Sequence, residues 1–151
     1  MAKFQFVPLV DTAEQVTARL GSGTRTSGDT TSDADIGKLV KLGGDSRYDF
    51  AALGDEFEGA MTAFAAAPQD DYNMGTVQKE GRLRCTVEAG GTTLVVGDYV
   101  VAGTIVAKGT KLGTSYPKVE KATTTPIFKW RVIALYGSGA AGTDVLVEFI
   151  Y

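Results

Sequence analysis

Two absences and one lone residue bound the chemistry open to this chain. Its 151 residues include no histidine, which removes imidazole zinc sites, Ser-His-Asp and Cys-His nucleophile systems and every histidine general base. No G-x-x-x-x-G-K-S/T or G-x-S-x-G string occurs, so phosphate-loop and serine-elbow chemistry have no residues to use. The single cysteine, Cys85, lies in RLRCTVE, where alternation places it on one face with Leu83 and Val87. It reads as a small buried apolar residue, not a reactive thiol. GSGAAG, Gly137 to Gly142, does satisfy G-x-G-x-x-G after a strand-like segment. A dinucleotide site needs a helix next and an acid about 20 residues on, whereas a second alternating strand follows, so a hairpin loop is expected. Asp29, Asp33 and Asp35, and separately Asp45, Asp49, Asp55, Glu56 and Glu58, could offer oxygens to a hard cation, but neither group has loop-like ligand spacing and both read as solvated carboxylates. Nothing fixes two of them at the roughly 5 to 9.5 Å that glycoside hydrolysis requires. Trp130 with Tyr136, Phe149 and Tyr151 could form a sugar-stacking platform, yet alternation with charged neighbours puts Trp130 on the core face. No catalytic, metal or cofactor residue is assigned, and the expectation is a protein that is not an enzyme.

The elements around these residues are short. With 44% hydrophobic and 22% charged residues, one folded domain is expected, and its core needs no disulfide or metal. Nineteen glycines against four prolines point to turn-rich all-β structure: a small sandwich or partly closed barrel of about seven to nine short strands, with an extended N-terminal arm and at most one short helix. The predicted strands are 37–42, 47–52, 58–65, 75–80, 82–88, 92–96, 99–106, 127–136 and 144–151. The clearest alternation is Phe128, Trp130, Val132, Ala134, Tyr136 against Lys129 and Arg131, followed by Val145, Val147, Phe149, Tyr151 against Glu148. Met61 to Pro68, MTAFAAAP, is open between strand and two helical turns.

The beginning of the chain reads differently. FQFVPLV, 4–10, is apolar and carries Pro8, which confines it to an edge strand or an extended arm. Asp11-Thr12 with Glu14-Gln15 gives overlapping capping-box spacings, and Ala13, Val16 and Leu20 before Gly21 fit one short helix. Residues 21–35 hold no apolar side chain except Ala34 and read as a flexible polar linker. The expected organisation is therefore an arm over 1–20, a linker over 21–35 and a single β domain over 36–151. The alternative for the arm is that it completes the protein's own sheet.

Net charge is −3 but unevenly spread: Asp45 to Asp71 sums to −6 and Tyr72 to Arg131 to +5. Opposite faces, a basic flank meeting a neighbour's acidic one, or ordinary surface charge would each give this pattern. A pI near 4.9 and the lack of a tight Lys/Arg cluster disfavour nucleic acid. No apolar run approaches the roughly 20 residues of a membrane span, and the first residues do not read as a secretory signal, so a reducing or neutral compartment is expected.

One longer pattern remains. Gly37-Lys38-Leu39-Val40, Gly54-Asp55, Glu58-Gly59, Gly81 to Val87 and Gly97-Asp98-Tyr99-Val100 form a rhythm of turn glycines and short apolar strands. In this the chain resembles the head decoration, or capsid cement, proteins of tailed bacteriophages, over under half its length. The resemblance implies a small β domain, made in the host cytoplasm, that docks on the outer surface of the expanded capsid as a trimer in preference to a dimer. Its partners would be the major capsid protein and itself, and it implies no catalysis. Candidate contacts with capsid or neighbour are the apolar Phe4, Phe6, Val7, Leu9 and Val10 and the basic Arg82, Arg84, Lys108 and Lys111. The linker and the C-terminal hairpin depart from the family pattern. Two rivals are a trimeric nucleotide hydrolase of the dUTPase kind, whose motifs are missing, and a carbohydrate-binding or tail-fibre, receptor-binding β module.

Overall fold

The computed structural model describes residues 15–20, 31–43, 47–67, 72–113 and 115–151. The described residues contain ten strands, one 3-10 turn, Asp33–Asp35, and no α-helix. β1 (Gln15–Leu20), β2 (Leu39–Leu42), β3 (Tyr48–Phe50), β4 (Gly59–Ala67) and β5 (Tyr72–Gln78) close a barrel in the order β1-β3-β2-β4-β5. β6 (Arg82–Val87), β7 (Val100–Ala102), β8 (Lys118–Lys121), β9 (Trp130–Leu135) and β10 (Asp144–Phe149) form a second sheet ordered β7-β8-β6-β10-β9. The all-β expectation holds, as two packed units built from successive halves of the chain.

A five-stranded ring leaves little interior, and glycine makes the room. A Cβ on Gly75 of β5 would lie 2.3 Å from the Leu20 side chain, and one on Gly59 of β4 1.9 Å from the Gln78 carbonyl oxygen. Leu20, Val40, Tyr48, Met61 and Val77 fill the ring. The second core is larger, with Cys85, Val87, Leu94, Val119, Trp130, Val132, Val145 and Val147 packed against Leu39, Ala51, Phe57 and Ala60 from the barrel half. Trp130 stacks on Phe57 with centroids 5.5 Å apart, and Phe149 meets it edge-on. Each such side chain contributes about 1.5–3 kcal/mol of burial, so the joint between the units is itself core.

Neither outer edge of the second sheet is left open. Gly97 N–H donates to Val132 O, Val132 N–H donates to Asp98 O, and Tyr99 bridges Arg131, which joins β9 to the chain entering β7. On the other side of β7, Gly54 N–H donates to Ala102 O and Ala102 N–H to Asp55 O. Edges of this kind, once paired, cannot accept a further strand.

The structure corrects several expectations. Gln15–Leu20 is a strand, paired over six residues with β5, not the end of a short helix; ring closure outweighs the local capping signal. The span assigned to an arm thus ends in the body, and Phe4, Phe6, Val7, Leu9 and Val10 lie outside the described residues. The linker assignment fails for its last residues: Thr31 and Asp35 are buried, and Ser32 caps the 3-10 turn through a complete capping box. Residues 21–30 lie outside the described residues, as do Asp29 and Asp45. The β body therefore includes residues before Ile36. Gly59–Ala67 settles the Met61 segment as strand. The 92–96 strand is absent: Leu94 is buried and hooked to Gly139 O while Val95 and Val96 are exposed. β8, not anticipated, lies between β6 and β7.

Candidate functional site

The basic candidates do not form one patch. Arg82 and Arg84 sit together on the outward face of β6, where Arg82 Nε is 3.0 Å from Glu148 and Arg84 Nη2 is 3.0 Å from Asp144 on β10. The Arg84 guanidinium also lies 4.6 Å from the Tyr116 ring centroid and 4.5 Å from that of Tyr136. Lys108 belongs elsewhere, 2.8 Å from Asp49 and above the Phe50 ring on the barrel side. Lys111 is exposed in the loop that follows. The acidic and basic halves meet within the chain at Asp49–Lys108 and Glu58–Lys79. That intramolecular pairing accounts for part of the segregated charge without a neighbour.

Sequence reasoning missed the most buried charges. Asp35 is fully buried and Lys38 is 1% exposed, with Nζ 2.5 Å from Asp35 Oδ1. Both groups have further partners: Asp35 accepts from Ser32 N–H and Gly109 N–H, and Lys38 donates to Ala107 O at 2.7 Å. This pair pins the long loop 103–117 to the 3-10 turn Asp33–Asp35 and the residues that lead into β2. Glu88 holds the start of the same loop by accepting from Thr104 N–H, and it faces Lys118 at 3.7 Å. Burial works against the Glu88 carboxylate, but the Thr104 and Ala89 N–H groups and Lys118 outweigh it and hold its pKa below the usual range.

Under that loop lies a cavity of about 250 Å³. Leu39 and Ala51 from the barrel half and Ala102 from β7 are its floor, and Ile105, Leu112 and Pro117 its roof. Lys38 and Lys118 stand in its walls, and the exposed Thr104, Ser115 and Tyr116 form a mouth. A smaller cleft of about 150 Å³ lies between Phe128 and Phe149 above Glu58, Lys79 and Glu80. At its base Tyr48 donates to Glu58 Oε2 at 2.9 Å, and Lys79 is 3.4 Å from the same oxygen. Desolvation and the Glu58 carboxylate push the Tyr48 phenol up; burial opposes the Lys79 charge, but Tyr48 and Glu58 prevail and raise its pKa. These shifts stabilise a neutral phenol and a protonated amine, the opposite of what a nucleophile or base requires.

The other residues singled out have structural partners. Cys85 is fully buried and its thiol is pushed up by desolvation, then by Asp144. Gly137 to Gly142 form the β9–β10 hairpin loop, with Gly139 and Gly142 at positive φ. Asp55 is held below the usual carboxylate range first by Lys41 at 2.5 Å. Glu56 accepts from the Ile127 N–H at 2.8 Å. Among the described residues no three His, Cys, Asp or Glu side chains converge as metal ligands. Trp130 is fully buried, so it offers no surface to a sugar. No family model matches this chain, and neither a curated protein nor a solved structure matches it.

Proposed function

We propose that the chain is a capsid decoration subunit: a structural virion protein that binds the outer surface of a mature tailed-phage head and holds neighbouring capsomers together. One observation carries the reading. The residues of the resemblance fall where this body turns and closes: Gly37, Gly54, Gly81 and Gly97 have φ of +93°, +81°, +85° and +100°, and Asp55 and Glu58 hold β2, through Lys41 and the Leu42 N–H. Asp98 adds its own fastening, accepting from Val95 N–H and pairing with Lys121 at 2.8 Å. Decoration works by adding buried area between subunits, and a core continuous across the joint of the two units suits a body that has no site to open.

The partners in this reading are the major capsid protein and further copies of the chain, as trimers in preference to dimers. The apolar segment 4–10 is the adhesive element. Strand addition onto the second sheet of another copy is disfavoured, because both outer edges of that sheet are paired. The carbohydrate-binding reading loses Trp130 as its platform and would rest on Tyr116 and Tyr136 around Arg84.

Co-sedimentation with mature, undecorated heads, with unexpanded procapsids as control, tests the proposal. Saturable binding to mature heads alone, at a fixed ratio per capsid subunit, is expected; binding to neither shell overturns it. The variant for the adhesive segment is a deletion of residues 1–14, since β1 begins at Gln15 and a longer deletion would open the barrel. It is expected to remain folded and lose affinity for heads, and undiminished binding would remove the segment from the interface.

A further inference from the structure

We infer that the cavity beneath loop 103–117 is a binding site for a small, neutral, one-ring molecule, an inference independent of the decoration reading. Size sets the first limit. An apolar cavity of about 150 Å³ accepts benzene, so about 250 Å³ holds a substituted ring with its substituent toward the mouth. Floor and roof are aliphatic, from Leu39, Ala51, Ala102 and Leu112, which a ring would fill with dispersion contacts.

Charge sets the second limit. The two ammonium groups in the wall are already matched, Lys38 by Asp35 at 2.5 Å and Lys118 by Glu88 at 3.7 Å. An anionic ligand would have to compete with a carboxylate for either of them, so the occupant is neutral. The polar groups at the mouth that can meet a ligand are the hydroxyls of Ser115 and Tyr116, since that of Thr104 is engaged by the Glu88 carboxylate. They suit one hydrogen-bonding substituent pointing outward, as small-molecule sites do with a few placed polar groups.

Position gives occupancy a consequence. The floor comes from both β units and the roof is the loop pinned by Asp35 and Lys38, so a bound ring touches all three and tightens their joint. Thermal unfolding of the full chain with toluene, and with benzoate as an anion of similar shape, tests the site. Toluene at about ten times its Kd is expected to raise Tm by about 3–6 °C, and benzoate to leave it unchanged. Ala102→Leu and Leu112→Trp fill the cavity from floor and roof, and each folded variant is expected to lose the toluene response. Crystals of the unaltered chain under xenon should show the gas in the cavity, a test that needs no variant. No response to toluene at aqueous saturation, an equal response to benzoate, a response retained in the filled variants, or a cavity empty of xenon would each overturn the assignment.

Discussion

The Asp35–Lys38 pair shows how far a residue's role can depend on distant partners. Lys38→Met removes the cation and leaves a carboxylate in the interior with only N–H donors. A loss of about 3–5 kcal/mol is expected for breaking a buried pair from one side, with part of it regained in Asp35→Asn/Lys38→Met. Urea unfolding with equal m-values measures both, and a loss below about 1 kcal/mol for the single change would show the pair to be dispensable. The burial of this pair was illegible in sequence. Its residues sit at i and i+3 in a polar stretch, and Ala107 O and Gly109 N–H lie 69 and 74 positions away. Cys85 and Trp130 were legible because strand alternation alone assigns their faces. The basic candidates were legible as charges, but their acidic partners on β10 and β3 are fixed by register, which composition does not encode.

At the scale of elements, strands announced by local signals were found and those that exist only through partners were not. Leu39–Leu42 and Arg82–Val87 begin shortly after turn glycines, and Trp130–Leu135 lies in the clearest alternation of the chain. Lys118–Lys121 buries one side chain, Val119, between lysines, and it is a strand because β6 and β7 flank it. Gln15–Leu20 satisfies a helix-start spacing and is a strand because β5 offers six partners. Turn glycines, equally visible in sequence, differ in what they hold. Gly97 has φ +100° with open space where a Cβ would go, whereas at Gly139, φ +75°, a Cβ would sit 2.0 Å from Leu94 O. Gly97→Ala is therefore expected to cost about 1 kcal/mol, from backbone strain alone. Gly139→Ala must also displace the Leu94 backbone and is expected to cost at least about 3 kcal/mol. Denaturant titration of the two variants decides it, and equal losses would contradict the hook between Leu94 and the hairpin.

For the whole molecule, the titrating groups with perturbed values sit at the two ends of the pH scale. Asp55, Glu88 and Asp98 are held below their ordinary values of 3.8, 4.5 and 3.8. Their stabilisation is present above those values and lost as pH falls through the depressed folded ones. Tyr48 and Lys79 are raised above 10.0 and 10.5, so their contribution is present below those values and lost as pH rises through the raised ones. With no histidine in the chain, Tm is expected to be flat from about pH 5.5 to 8, and above that range the Cys85 thiol, pushed up from its ordinary 9.0 by burial, joins the groups whose contribution is lost as pH rises. Differential scanning calorimetry across that range checks it, and a change of more than about 5 °C would reveal a titrating group the fold does not account for. One more property follows from the way the units divide the chain. β1 to β5 precede Gly81 and β6 to β10 follow it, so a ribosome delivers the whole barrel before the second sheet has a strand. The newborn half can close its ring, but Leu39, Ala51, Phe57 and Ala60 then face water until β9 brings Trp130 to cover them. Midway through its own synthesis the chain is a finished ring with one greasy flank, and that is the stage at which it most needs a chaperone or solitude.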